Sequence, residues 1–414
     1  MAVDRLIAAL DVGTTKVCCF IGQPDHHGIR VRGIGHRISR GMREGAVVDM
    51  EETESAIRAA VDQAESAAGQ PIDSVYVGLS AGDPVSRIAE MDVAIAGHEV
   101  DQADIDHVLA EAEHGIDEPD ETVIHAFPAC FAIDGAIGVK DPIGMFGEKL
   151  SVAVHVVTAR PGPVRNLEAC VARGHLGVAD MVMSPYASGL SVLDGDEKKL
   201  GVACVDMGGG STSVSIFIGD AMVYADIIPV GGCHLSEDIA RELLTPIHHA
   251  ERLKTLYGHA ITSPSDDGEV IDVPRLGESE FGDDSLSRLP RSMLTNIIQP
   301  RLEETLEAVR SRLVESGFDR ASGRGVVLTG GASLLPGLRE LAQRVLGKRV
   351  RIGRPRGLTG LADSTGGPAF ATCAGLLHYA LNAPENIGAM RVSESRFAPA
   401  GRFARVGQWL RENF

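Results

Sequence analysis

Two stretches of this 414-residue chain read alike, and that echo constrains the fold more than any other feature. An apolar run at 6–10 leads into Asp11-Val12-Gly13-Thr14-Thr15-Lys16 and then a second apolar run at 17–22. Far downstream, an apolar run at 202–205 leads into Asp206-Met207-Gly208-Gly209-Gly210-Ser211-Thr212 and a second run at 214–218. Each reads as strand, turn, strand, with an aspartate near the end of the first strand. A unit that recurs in this way predicts two similar halves. The length, too great for one comfortable core, agrees with more than one domain.

The turns carry chemistry. A Gly- and Thr-rich turn between strands can present successive N–H groups to a phosphate. Glycine is needed where positive φ or close ligand approach leaves no room for a Cβ. Asp11 and Asp206, each just before such a turn, are placed to hold Mg²⁺ against the same phosphates, directly or through water. Either turn alone reads equally well as a plain hairpin. The pair, and a third motif after an apolar run at 325–329, favour a nucleotide. In that motif Gly330 and Gly331, followed by Ser333, would let a nucleoside approach the backbone. Lys16 either reaches a phosphate or is an exposed hairpin lysine.

Between the motifs the pattern predicts a helix at 51–68, with Ala56, Ile57, Ala60, Val61, Ala64 and Ala67 on one face. Gly69 and Pro71 stop it, and 74–79 reads as a buried strand. The texture changes at about 83–163, where short strands, an acidic run and the loop Asp-Pro-Ile-Gly-Met-Phe-Gly indicate a separate module. Helices are expected near 164–173 and 186–193, with a strand near Met181 between them. Residues 261–290 read as polar loop. Pro300 is expected to open a helix striped by Leu302, Leu306, Val309 and Leu313, and 368–381 to form an apolar helix with Pro at its start.

Composition closes off several classes. The formal net charge is −18, so broad electrostatic binding to nucleic acid or to anionic lipid by the body of the chain is not expected. The seven cysteines form no C-x-x-C pair, which indicates buried free thiols rather than zinc or disulfides. His26–His27 and His248–His249 are adjacent pairs, whose side chains do not converge in a strand or helix; surface histidine is expected rather than metal. No leader peptide and no run long enough to span a bilayer is read.

The three motifs, in this order and at these separations, resemble those of the actin, heat-shock chaperone ATPase and sugar kinase superfamily. The segments at 183–193 and 368–381 resemble its two connecting helices. Within it the chain is similar to the FtsA family, the bacterial cell-division actins, on ISRGMREGAVVDMEETESAIRAAVDQAE, IPVGGCHLSEDIA, AERLKTLYG and DGEVIDVP. The resemblance implies an α/β, actin-like ATPase fold of two ribonuclease-H-like domains flanking a nucleotide cleft, with an inserted subdomain. It assigns 1–82 and 164–194 to the first core, 83–163 to the insert, 195–230 and 326–381 to the second core, and 231–325 to a peripheral subdomain. It implies ATP and Mg²⁺, self-association into filaments, and a tether for the FtsZ ring at the cytoplasmic face of the inner membrane. The FtsZ C-terminal tail would bind at 231–325, and other division proteins at the insert. Glu251 and Lys254 match a Glu-x-x-Lys that contacts adenine and ribose in the chaperones; a solvated helix face is the alternative. One departure stands out. Where the chaperones carry a water-positioning Glu before Pro, this chain has Ser184, which cannot act as a carboxylate base, so slow or negligible hydrolysis is expected. The rival readings are a small-molecule kinase and a pilus-assembly homologue on the same fold.

After a linker at 382–400 comes a tail at 401–414. At 100° per residue, Phe403, Val406, Gly407, Leu410 and Phe414 share an arc of about 100°, with Trp409 at its border. Arg402, Arg405, Gln408, Arg411 and Glu412 occupy the remainder, and three arginines against one glutamate make the tail net +2 while the rest of the chain is −20. Such a helix could dock on its own protein, but a basic amphipathic end on a linker fits an anionic lipid surface better. A single tail would bind marginally, and several on a polymer far better.

Overall fold

The computed structural model describes residues 6–26, 28–114, 120–276 and 286–382. The tail, the linker beyond Asn382, and His27 lie outside these residues.

The first half opens with three antiparallel strands, β1 (Ile7–Val12), β2 (Lys16–Asp25) and β3 (Gly28–Ile38). A small hairpin, β4 (Met42–Arg43) and β5 (Ala46–Val47), leads to helix α1 (Met50–Ala68). Asp49 caps α1 by accepting the Glu51 and Glu52 N–H groups at 3.0 Å each, a device that stabilises a helix by about 1 kcal/mol. Its other end stops at Gly69, whose φ of 74° is the left-handed conformation that glycine adopts without penalty. The helix lies directly on β3. A Cβ at Gly33 or Gly35 would fall 2.1 or 1.8 Å from the carbonyl oxygens of Ala64 and Ala60. Strand β6 (Ser74–Leu79) then returns parallel to β1.

The module that follows has its own sheet and core. It comprises β7 (Val85–Ala94), α2 (Gln102–His114), β8 (Thr122–Ile133), β9 (Ala136–Val139) and β10 (Lys149–Ala159). The strands are ordered β7-β10-β8-β9, and Val108 of the helix packs with Leu150, Val152, Val154 and Val156. The chain re-enters the first half through α3 (Pro161–Arg173) and β11 (Gly177–Met183), and passes to the second by α4 (Ser184–Val192) and α5 (Gly195–Leu200).

The second half repeats the plan: β12 (Val202–Met207), β13 (Thr212–Ile218) and β14 (Ala221–Ile228) are antiparallel. Helices α6 (Gly232–Glu242) and α7 (Ile247–Tyr257), the strand pair β15 (Val270–Pro274) and β16 (Leu286–Pro290), and the long α8 (Arg291–Glu315) form a peripheral layer. Then come β17 (Gly325–Thr329), α9 (Leu338–Leu346), β18 (Arg349–Ile352), β19 (Leu358–Thr359) and α10 (Ala371–Asn382). The sheets run β11-β6-β1-β2-β3 and β18-β17-β12-β13-β14, the same order in each half. The echo in the sequence is therefore a repeat of topology, and the fold is the actin-like one expected.

Three expectations need correction. Pro300 does not open a helix but lies inside α8. The buried stripe extends upstream through Leu294 and Ile298, and that packing offsets an interior proline costing roughly 3 kcal/mol. Within 261–290, expected as loop, β15 and β16 pair. Finally, residues 358–359 and α10, grouped above with the second core, lie on the first sheet. There β19 pairs with β3, and Cys373, Leu376 and Leu377 pack with Ile7, Ala9, Cys18 and Phe20. Helix α4 shows the reverse: Ser215 of β13 donates to its Pro185 carbonyl at 2.9 Å. The two helices cross between the sheets, and at the crossing a Cβ on Gly375 would lie 1.7 Å from the Ala187 carbonyl oxygen. All seven cysteines are free, and five are buried.

Candidate functional site

The two turns face each other across a cleft between the sheets. In the first, strand pairing runs to Val12↔Val17 and Gly13 N–H donates to Lys16 O at 2.9 Å. In the second it runs to Met207↔Thr212, and Gly208 N–H donates to Ser211 O, also at 2.9 Å. The turns are in contact: a Cβ on Gly209 would lie 2.5 Å from Thr15 Cγ2, and one on Gly210 2.2 Å from Thr14 Oγ1. Glycine is required here for close approach of the opposite turn.

One pocket gathers Asp11, Gly13, Thr14, Thr15, Lys16, Asp206, Gly208, Gly209, Gly210, Ser211, Gly330 and Gly331 from the three motifs. Gly330 has φ 85°, and its Cα sits so close to Asp206 that a Cβ would fall 2.2 Å from Oδ1. Lys16 is half-buried, not the exposed hairpin lysine of the alternative. Its ammonium donates to Ala369 O at 2.5 Å and sits 3.5 Å from the centre of the Phe370 ring.

Other expected residues lie behind this surface. Thr212 is buried and donates to Val230 O at 2.7 Å, while Ser333 donates to Gly330 O at 2.7 Å and holds that turn. Lys254 donates to Gly232 O and to Glu251, both at 2.7 Å, and Gly232 N–H in turn donates to Gly208 O. This pair therefore braces the second turn from α6 and α7 and does not line the pocket.

Beyond the three turns the pocket also takes in Gly45, Ser80, Ser184, Ser213, Pro368, Ala369 and Thr372. Gly45, at the tip of the β4–β5 hairpin with φ 83°, donates its N–H to Thr14 Oγ1 at 3.1 Å. Beside it Glu44 faces His234 of α6 at 4.0 Å, so the hairpin tip reaches across to the second half. On the cleft floor Ser80 donates to Ser184 Oγ at 2.6 Å. A hydroxyl pair thus stands where a carboxylate base was absent from the sequence.

Two carboxylates share this enclosed space. Burial pushes Asp11 up to about 6, an effect that nearby Lys16 opposes and Asp206 reinforces. Asp206 is also raised by burial, against hydrogen bonds from Ser188 and Thr372 and the charge of Lys16. A divalent cation would relieve both. Among the described residues no cluster of three His, Cys, Asp or Glu side chains could hold a metal alone. The donor set fits an ion such as Mg²⁺, which binds through one or two carboxylates and takes its other ligands from water and phosphate. The adjacent rings of His248 and His249 do meet, 4.1 Å apart, contrary to the sequence expectation, but no third ligand joins them. No described helix is long and apolar enough to cross a membrane.

Comparison with known proteins adds an independent line. A family model described as "Cell division protein FtsA" matches residues 203–375, and one described as "SHS2 domain inserted in FTSA" matches residues 82–158. The chain is 43% identical to cell division protein FtsA of Rhizobium meliloti, over 99% of this chain and 95% of that protein. It is 37% identical to the Pseudomonas aeruginosa FtsA, covering 99% and 98%, and 35% identical to that of Escherichia coli K12, covering 100% and 99%. Among solved structures, a chain of the PilM–PilN type IV pilus biogenesis complex aligns with TM-score 0.65 at 19% identity, over 91% of this chain and 98% of that one. MreB5 of Spiroplasma citri bound to ADP aligns with TM-score 0.53 at 12% identity, over 91% and 96%. At such identities the structural matches speak for the fold alone.

Proposed function

The chain belongs to the FtsA family of cell division proteins, and from that premise we propose that it binds ATP with Mg²⁺, polymerises, and tethers the FtsZ ring to the cytoplasmic face of the inner membrane. The observation that carries the nucleotide reading is the meeting of the two turns over Asp11 and Asp206. Gly13 to Lys16 and Gly208 to Ser211 hold the phosphates, and the turn at Gly330 and Gly331 receives the nucleoside. Asp11 and Asp206 hold the cation, which would neutralise phosphate charge there. Glu251 and Lys254 act on the nucleotide through the Gly232–Gly208 contact or by a movement of α7 toward it. With hydroxyls, Ser184 and Ser80, where the chaperones carry a water-positioning Glu, hydrolysis is slow. A small-molecule kinase is disfavoured by the full-length family similarity, and a pilus-assembly role by the contrast between 43% and 19% identity.

The membrane part of the proposal rests on the sequence of 401–414: Phe403, Val406, Trp409, Leu410 and Phe414 enter the lipid while Arg402, Arg405 and Arg411 meet its anionic headgroups. The subdomain at 231–325 takes the FtsZ tail, and the insert meets neighbouring subunits or later division proteins. Co-sedimentation with anionic liposomes, for the whole chain and for one lacking 401–414, with and without ATP, tests the tether. Binding should be lost on truncation and strengthened by ATP. No lipid binding by the intact chain defeats the proposal.

A further inference from the structure

Asp206 is gripped by the two helices that join the halves of the molecule. Its Oδ2 accepts hydrogen bonds from Ser188 Oγ of α4 and from Thr372 Oγ1 of α10, the latter at 3.1 Å. The two hydroxyls are themselves 2.9 Å apart, so three oxygens form one closed triangle. Ser188 is fully buried, and Thr372 is 8% exposed and lines the pocket. Among the described residues Oδ1 accepts no hydrogen bond, so it is the oxygen left for a ligand. Thr372 also touches the other sheet. Its methyl lies 3.3 Å from where a Cβ on Gly78 would stand, and Gly78 pairs with Asp11. The helices are locked to each other beside this point by Gly375 on Ala187 and by Ser191, which donates to Ala371 O at 2.7 Å.

We propose that Ser188 and Thr372 are positioning residues, which fix one oxygen of Asp206 and so aim the other at the divalent cation that accompanies the nucleotide. The physical reason is that a carboxylate torsion is soft, whereas two charge-assisted hydrogen bonds from buried hydroxyls hold it. Because one hydroxyl comes from each crossing helix, the grip is complete only while α4 and α10 keep their present crossing. Cation binding and the angle between the halves are thereby coupled through one carboxylate. This inference rests on the nucleotide and Mg²⁺ reading above and extends it to residues outside the three turns.

The test is calorimetric titration of ATP into the full chain over a range of Mg²⁺ concentrations, for wild type, Thr372→Val, Thr372→Ser and Ser188→Ala. Thr372→Val keeps the shape and removes only the hydroxyl, and should raise the Mg²⁺ concentration for half-maximal ATP affinity at least tenfold. Affinity without Mg²⁺ should fall far less than affinity with it, Ser188→Ala should behave like Thr372→Val, and Thr372→Ser should restore the wild-type dependence. Because Thr372→Ser retains the hydroxyl but loses the methyl, failure of packing alone would affect it and leave Ser188→Ala untouched, which overturns the proposal. Equal losses with and without Mg²⁺, or curves that overlie wild type, also overturn it. If wild type binds ATP without any Mg²⁺ dependence, or not at all, the reading underneath fails first.

Discussion

Lowering the pH from about 7.5 to about 5 should loosen the inserted sheet from the rest of the molecule through two histidines. His125 of β8 is 3% exposed and His155 of β10 is wholly buried. His125 Nε2 accepts the Met183 N–H at 2.9 Å, and its ring stacks on Phe127 and meets Tyr186 edge-on. His155 Nε2 shares a 2.6 Å contact with Ser86 Oγ, which accepts the Ala225 N–H of β14. These bonds fasten the insert to β11 and to β14. Burial holds both imidazoles neutral, taking each from 6.5 down to about 3, and at His125 the neighbouring His155 adds to the effect. The folded pKa is depressed, so the unfolded chain binds protons between pH 6.5 and about 3 that the folded chain refuses. Stability is complete above 6.5 and is lost as pH falls through that window. At pH about 5, some 1.5 units below the unfolded value, the loss is about 2 kcal/mol per histidine and about 4 for the pair. Asp11, pushed up to about 6, has the opposite sign and gains stability as pH falls. The histidine contribution must therefore be read as a difference between proteins. Urea unfolding of wild type and of His125→Gln with His155→Gln, repeated at several pH values, gives that difference. The wild-type curve should fall more steeply with acid, and exchange of β8 and β10 amides should rise below pH about 6. Parallel profiles, or imidazole resonances that titrate near 6.5 in the folded protein, would refute the reasoning.

Other substitutions probe the cleft and its hinge. Gly210→Ala puts a methyl on Thr14 Oγ1, and strain of about 1–3 kcal/mol should lower ATP affinity by tenfold or more in calorimetry, while Gly195→Ala, whose Cβ would meet nothing within 4 Å, serves as a folding control. Gly375→Ala drives a Cβ into the Ala187 carbonyl, where no side chain can yield, and should lower the urea midpoint by about 2–4 kcal/mol equivalent or abolish folding. Single-turnover hydrolysis of ATP should be slower than in chaperone ATPases by the 10²–10⁴-fold that a general base supplies, and a comparable rate would exclude the role given to Ser184.

How much of this was legible in the sequence follows from the range of the interactions. The hairpins, α1 and β6 are local: apolar runs, an Asp cap, and a stopping Gly written within a few residues. The first half of α8 was not, because Pro300 is a local signal against helix and only burial of Leu294 and Ile298 outweighs it. Gly45, Ser80 and Thr372 belong to the pocket through contacts across 31 residues in one case and, for Thr372 on Asp206, across 166. Small residues standing singly give no chemical signal of their own, so even within the stretches at 38–65 and 368–381 nothing marked Gly45 or Thr372 as pocket residues. The placement of α10 failed for a related reason. Chain order groups it with the second half, whereas its apolar face is filled by β1 and β2 of the first.

The difference between the two repeated turns turns out to matter more than their likeness. If repetition alone shaped them, both would carry the same side chains, yet one has Thr14 and Thr15 where the other has Gly209 and Gly210. Facing each other, the threonine side chains occupy the space that the absent Cβ atoms leave. Two threonine-bearing turns would collide, and two glycine turns would leave the Gly45 N–H without its Thr14 Oγ1 partner and the pocket a looser mouth. Exchanging the pairs in both turns at once should therefore keep more ATP affinity than converting either turn alone. The double exchange restores the complement and either single change breaks it. If the single and double variants lose affinity additively, the turns are recognised separately by the ligand and their contact carries no coupling.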